Sequence, residues 1–310
     1  MNVLVTGGAG FIGSHLAEAL VKAGHRVRVL DNFCSGRARN LAAVRGEVEV
    51  LRGDCADMAA ARRAVRKVEV VFHEAAVASV TRSVEDPPLS HRNNGTATVT
   101  LLTAARDAGV RRVVYAGSSS VYGDTPKLPK REDMETRPLS PYGIEKMTGE
   151  HYLRAFARLF GMETLTLRYF NVFGPRQDPG SPYSGVISLF ATALLAGRRP
   201  VIYGDGRQSR DFTYVADVVR ANLLALRARG LQGQSVNVAT GHRVTLNALL
   251  RVMARLAGRP PKAEHRTPRP GDVRHSLADL RAAKKLLGYR PRTPFDEGIR
   301  RTLEWYRVEA

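Results

Sequence analysis

The chain opens on Asn2-Val3-Leu4-Val5-Thr6, a β-rich apolar run that breaks on glycines at Gly7, Gly10 and Gly13 and passes directly into an apolar helical pattern. A strand, a glycine turn and a helix start, in that order, leave few folds open. Where side chains are missing, the backbone can approach a pyrophosphate closely, and the N–H groups and positive end of the following helix hold its charge. Three glycines at that spacing would also suit a purely structural tight turn, so the pattern needs support from further along the chain.

Support comes from the next β-rich run, which ends Val29-Leu30-Asp31-Asn32, with Asp31 eighteen residues beyond Gly13. An acid about 20 residues past the glycines is placed to accept from the ribose hydroxyls of a dinucleotide. A carboxylate there repels a 2′-phosphate, which favours NAD over NADP, although Arg37 is near enough in sequence to suit the phosphate. A third run leads into Asp54-Cys55 and a fourth into His73-Glu74-Ala75-Ala76, where small residues let the chain pass beside a planar cofactor. Asp54 either bonds the adenine amino group or simply opens the turn before the next helix. His73 is expected to pack at a strand end.

β-rich runs at 2–5, 26–30, 47–51, 68–73 and 112–116 alternate with helical patterns at 14–23, 59–65 and 97–108, and further runs follow at 163–167 and 235–238. Such alternation implies βαβ units around a parallel sheet. The expected fold is α/β, a Rossmann-type doubly wound parallel sheet with a smaller, discontinuous C-terminal α/β substrate domain. Residues 1–168 plus about 212–240 are assigned to the dinucleotide-binding domain, and 169–211 plus 241–310 to the substrate domain, where Pro and Gly cluster in loops.

The fifth run ends Ala116-Gly117-Ser118-Ser119-Ser120, and Tyr142-Gly143-Ile144-Glu145-Lys146 follows. Four-residue spacing places Tyr142 and Lys146 on one helix face. A phenol near its free pKa of about 10 is a poor base at neutral pH. A neighbouring ammonium and an oxidised nicotinamide both favour the phenolate, which makes Tyr142 a usable general base. Ser118, at the carboxyl end of a parallel strand, could bond the reacting oxygen and relay its proton.

From the glycine turn to Leu286-Leu287-Gly288-Tyr289 the chain resembles the extended short-chain dehydrogenase/reductase family, and within it the nucleotide-sugar epimerases. The resemblance implies further NAD contacts from Phe11, Ile12, Asn32, Asn94 and Phe170. It implies a UDP-sugar substrate held by Ser79, Ser118, Tyr142, Asn171, Val186, Tyr203, Arg210, Arg269, Asp272 and Ser276, with Asn171, Arg210 and Arg269 at the diphosphate. It also implies a homodimer paired through two helices per subunit. The implied chemistry is epimerisation at C4, in which Tyr142 removes the hydroxyl proton, hydride passes to NAD, and the 4-keto sugar turns before hydride returns to its other face. Relatives that eliminate water carry an Asp-Glu pair where Ser119-Ser120 stands, and decarboxylating relatives usually carry Glu at the place of Ser120. Those two chemistries remain as alternatives, together with a non-catalytic NAD-sensing protein. Small Ser276, where related epimerases set the size of the hexose pocket, implies acceptance of 2-acetamido sugars.

Net charge is +19, with forty arginines against eight lysines. The arginines are scattered as pairs such as Arg62-Arg63 and Arg111-Arg112, so a solvated surface is expected in place of a nucleic-acid face, with a few arginines turned to the diphosphate. No stretch approaches the ~20 apolar residues of a membrane helix, and no signal peptide is evident. Cys34 and Cys55 are too few for a disulfide framework, and no Cys/His spacing suits zinc, so no metal and a reducing cytoplasm are expected.

Overall fold

The computed structural model describes residues 1–180, 185–268 and 273–309. Seven strands form one sheet: β1 (Asn2–Thr6), β2 (Arg26–Asp31), β3 (Val48–Arg52), β4 (Val70–His73), β5 (Arg112–Ser118), β6 (Glu163–Tyr169) and β7 (Gln234–Val238). They lie in the order β7-β6-β5-β4-β1-β2-β3, and every pairing is parallel. The chain winds outward through β2 and β3, then crosses back to lay β4 on the other side of β1. That reversal opens a crevice at the carboxyl ends of β1 and β4, where open α/β sheets bind ligands.

Central strands are buried on both faces, which is why they read as Val- and Leu-rich runs without alternation. One face is covered by α1 (Phe11–Lys22), whose Leu16 and Leu20 pack with Val218, Ala221 and Ala225 from a later helix. The opposite face carries α2 (Met58–Val65), α3 (Ala97–Asp107) and α4 (Pro141–Phe160), through Ala61, Ala64, Leu101, Leu153 and Phe156. Fully burying a Leu- or Phe-sized side chain contributes about 1.5–3 kcal/mol. The sheet is thus doubly wound, as the alternation of strand and helix patterns predicts.

Beyond β6 a separate core gathers Phe173, Phe190, Leu249, Met253, Ile299 and Leu303. Its helices are α5 (Val186–Leu195), α7 (Leu246–Ala257) and α8 (Phe295–Glu309), while α6 (Val215–Arg227) returns to the large sheet. Short strand pairs stitch this part together: Val172–Phe173 with Thr213–Tyr214, Ser209–Arg210 with Val244–Thr245, and Val201–Tyr203 with Glu264–Arg266.

Within the pair Arg111-Arg112, the second arginine departs from the expected solvated surface. Arg112 is buried, and its guanidinium donates to the carbonyls of Ala225 (2.7 Å), Leu226 (2.5 Å) and Ala228 (2.7 Å), the unsatisfied acceptors at the end of α6. A cation suits that negative helix end, and it ties α6 to β5. Among the described residues no helix is long and apolar enough to cross a membrane, and no cluster of three or more His, Cys, Asp or Glu could hold a metal ion. Both cysteines are free thiols.

Candidate active site

The crevice between β1 and β4 opens into a cavity of about 650 Å³. Gly7 has φ +66°, and a Cβ there would lie 2.8 Å from the Ala75 backbone; a Cβ on Gly13 would lie 2.2 Å from the Gly7 carbonyl oxygen. Neither position has room for a side chain, so the turn folds tightly enough to present its N–H groups at the start of α1. Gly10, Phe11 and Ile12 line the same end of the cavity.

Asp31, buried at the end of β2, is held by two backbone donors: Ala9 N–H at 2.9 Å and Phe33 N–H at 2.8 Å. It makes no ion pair among the described residues, so its remaining lone pairs suit ribose hydroxyls and its charge opposes a 2′-phosphate. Arg37, the residue that kept NADP open, is paired with Asp178 at 2.7 Å. Asn32, Asp54, Cys55, Ala75, Ala76 and Ser79 also line the cavity. Asp54 opens a turn by accepting from Ala56 N–H (2.8 Å), and its other oxygen accepts from Arg92 (2.8 Å). Buried His73 is bracketed by the hydroxyls of Thr6 (2.8 Å) and Thr98 (3.0 Å), and burial pulls its pKa down to about 3. It packs at the strand end in neutral form.

Tyr142 and Lys146 reach the cavity from the first turns of α4. Ser140 caps that helix by accepting from Gly143 N–H at 3.2 Å, Pro141 occupies its first turn, and Gly161 ends it in the left-handed conformation. These are the start and stop signals expected of a well-defined helix. Lys146 Nζ donates to the Ala116 carbonyl at 2.8 Å and lies 5.8 Å from the centre of the Tyr142 ring. Burial raises the Tyr142 pKa, while a hydrogen bond from Ser118 works the other way. Burial also pulls Lys146 down to about 8, opposed by the charges of Glu74 and Glu150. Ser118 Oγ in addition accepts from Ser120 N–H at 3.1 Å. Ser118, Tyr142 and Lys146 therefore meet at one edge of a glycine-cradled crevice.

The family model described as "NAD dependent epimerase/dehydratase family" matches residues 3–239. The chain belongs to that family. A UDP-glucose 4-epimerase of Mycolicibacterium smegmatis is 43% identical to it over 100% of both chains. Among solved structures, the UDP-glucose 4-epimerase of Thermotoga maritima with UDP-glucose superposes with a TM-score of 0.95 at 39% identity over 100% of this chain and 99% of that one. The Thermus thermophilus UDP-glucose 4-epimerase complex with NAD gives 0.91 at 39% identity over 100% of both.

NAD is the cofactor of this epimerase/dehydratase family, and the glycine cradle and Asp31 fit it. Two residues whose contact with NAD the family resemblance implies sit beside the cavity. Asn94 is buried behind the cavity wall, where its amide takes a hydrogen bond from Val77 N–H at 3.0 Å and donates to the Val77 carbonyl at 3.4 Å. Through these bonds it steadies the cavity wall at Val77. Phe170 is likewise absent from the lining and packs with Val121, Tyr122 and Ala278.

The residues assigned to the substrate lie further out. Asn171 has φ +34° and its carbonyl accepts from Thr213 N–H at 3.2 Å, while Val186 begins α5 next to Gly185, which lines the cavity. Tyr203 ends a short strand. Arg210 donates to the Ser209 and Arg274 carbonyls (3.1 and 3.2 Å), and Ser276 N–H donates to the Ser209 carbonyl at 3.0 Å. Packing thus joins Arg210 and Ser276, far apart in sequence, in one backbone register. Arg269 and Asp272 lie outside the described residues. Several cavity residues escaped the sequence reading, Glu74 and Tyr169 among them; the signal for these two was a place at the carboxyl ends of β4 and β6.

Proposed function

We propose that the chain is an NAD-dependent UDP-sugar 4-epimerase, acting on UDP-glucose and UDP-galactose and also on their 2-acetamido counterparts. The observation that carries this reading is that Tyr142, hydrogen-bonded to Ser118, and Lys146 line one crevice with the glycine turn and Asp31, with Ser119-Ser120 where a dehydratase or decarboxylase would need an added acid. The named epimerases among its relatives support it. Residues 1–168 with about 212–240 would bind the dinucleotide, and 169–211 with 241–310 the sugar nucleotide.

Bound NAD supplies the hydride acceptor and donor. The Tyr142 phenolate takes the proton of the C4 hydroxyl and later returns it, so the residue ends as it began. Ser118, hydrogen-bonded to that phenol, holds the reacting oxygen and relays the proton. Lys146 stabilises the phenolate by its charge. Net redox change is zero, so activity should not depend on added cofactor. A homodimer belongs to the same reading: α4 leaves Ile144, Tyr152 and Leu159 exposed for a second copy.

The deciding experiment incubates purified protein, without added NAD, separately with UDP-glucose, UDP-GlcNAc and UDP-glucuronate. C4 epimers are the expected products; loss of carbon dioxide or of water would replace the reading with one of its alternatives. Substrate range has its own test at Ser276, which is small and buried. Ser276→Tyr should lower kcat/KM for UDP-GlcNAc relative to UDP-glucose by roughly 10–200-fold, the range a filled pocket delivers. An unchanged ratio would remove Ser276 from the sugar pocket.

A further inference from the structure

Glu74 follows β4 directly and lines the cavity with Tyr142 and Lys146. Its carboxylate is fixed from behind: the Tyr169 hydroxyl donates to Glu74 Oε1 at 2.8 Å, and Asn222 Nδ2 donates to the Tyr169 oxygen at 2.8 Å. Both partners are neutral, and Glu74 makes no direct ion pair among the described residues. The other carboxylate close to Lys146 is Glu150, whose charge is already matched. Arg168 grips it with contacts of 2.9, 3.2 and 2.7 Å.

The remaining titratable groups around Lys146 are His73 of β4, Tyr115 of β5, Tyr142 of α4 and Tyr169 of β6. His73 is neutral, and burial pushes the Tyr115 and Tyr169 phenols well above the usual range. Glu145, next to Lys146 on α4, bonds His91 at 2.9 Å; of the two carboxylates whose charge acts on Lys146, an ammonium that is 2% exposed, Glu74 is the one without an ion pair among the described residues.

We propose that Glu74 is a positioning residue for the active-site lysine: its clamped carboxylate is the counter-charge that keeps Lys146 an ammonium beside Tyr142, and so sets the upper pH limit of the reaction. The kinetic consequence rests on the epimerase reading; the charge pair does not. Burial lowers Lys146 to about 8 and raises Glu74 to about 7, while each group's charge opposes the other's shift. Between those values both are charged. Removing the carboxylate leaves burial less opposed, so Lys146 loses its proton at lower pH.

Glu74→Gln keeps an acceptor for the Tyr169 hydroxyl and removes the charge. In the purified full-length protein, reductive methylation with formaldehyde, followed by peptide mass spectrometry across the alkaline range, reports the neutral fraction of Lys146. The labelling midpoint should fall by about one pH unit in Glu74→Gln. Tyr169→Phe, which loses the hydrogen bond favouring the charged carboxylate, should give a smaller shift in the same direction. The alkaline limb of the kcat profile should move down with the midpoint while its plateau is kept. An unmoved midpoint, or an activity loss equal at every pH, overturns the proposal. A moved midpoint in a protein whose wild type has no epimerase activity upholds the charge pair and removes the epimerase reading instead.

Discussion

Turnover of UDP-glucose by Tyr142→Phe is expected to fall by about 10²–10⁴-fold, the contribution of a positioned acid–base group, with the fold intact and NAD still bound. The substitution deletes one oxygen and leaves the ring, so α4 keeps its packing and Lys146 keeps its hydrogen bond to Ala116. The glycine cradle and Asp31, which suit the dinucleotide, lie on β1, β2 and α1 and are untouched. Steady-state kinetics measure the first half of the expectation, and nucleotide released on denaturing the purified variant measures the second. Full activity would defeat the assignment of Tyr142 as the base. Loss of activity together with NAD would reassign it to cofactor binding.

Glu150→Ala is expected to destabilise the fold by about 3–5 kcal/mol, because it strands a buried cation. Arg168 and Glu150 have side chains only 4% and 5% exposed. Their pair is the hub of a polar chain: Arg168 donates to the Tyr122 hydroxyl (2.8 Å), Tyr122 donates to Asn237 Oδ1 (2.7 Å), and Ser235 donates to Glu150 (3.0 Å). The chain joins α4 to β6 and β7, so removing its anion leaves several buried groups unmatched at once. Urea denaturation should show a lower midpoint at unchanged slope. A loss below about 1 kcal/mol, typical of an exposed pair, would show that water reaches Arg168.

Signals local in sequence were legible throughout. Every strand of the large sheet was marked by a β-rich run, and the central ones by nearly continuous apolar residues, because they are buried on both faces. Gly7 and Gly13 marked the turn since only glycine fits where backbone meets backbone. The spacing of Tyr142 and Lys146 put them on one helix face before any tertiary fact was known. Arg112, by contrast, read as one more surface arginine; nothing nearby in sequence announced that the carbonyls ending α6 would reach it.

What the sequence by itself determined is the kind of fold, the glycine-lined crevice and the shared helix face of Tyr142 and Lys146, since strand runs, glycine turns and helix spacing are written within a few residues of one another. Tertiary structure alone decided which distant residues meet: Tyr169 behind Glu74, Arg210 beside Ser276, and Asn94 against the Val77 backbone. Those meetings depend on strand order and on how helices settle across the sheet. Both are set by burial summed over the whole chain, and no short segment carries that sum.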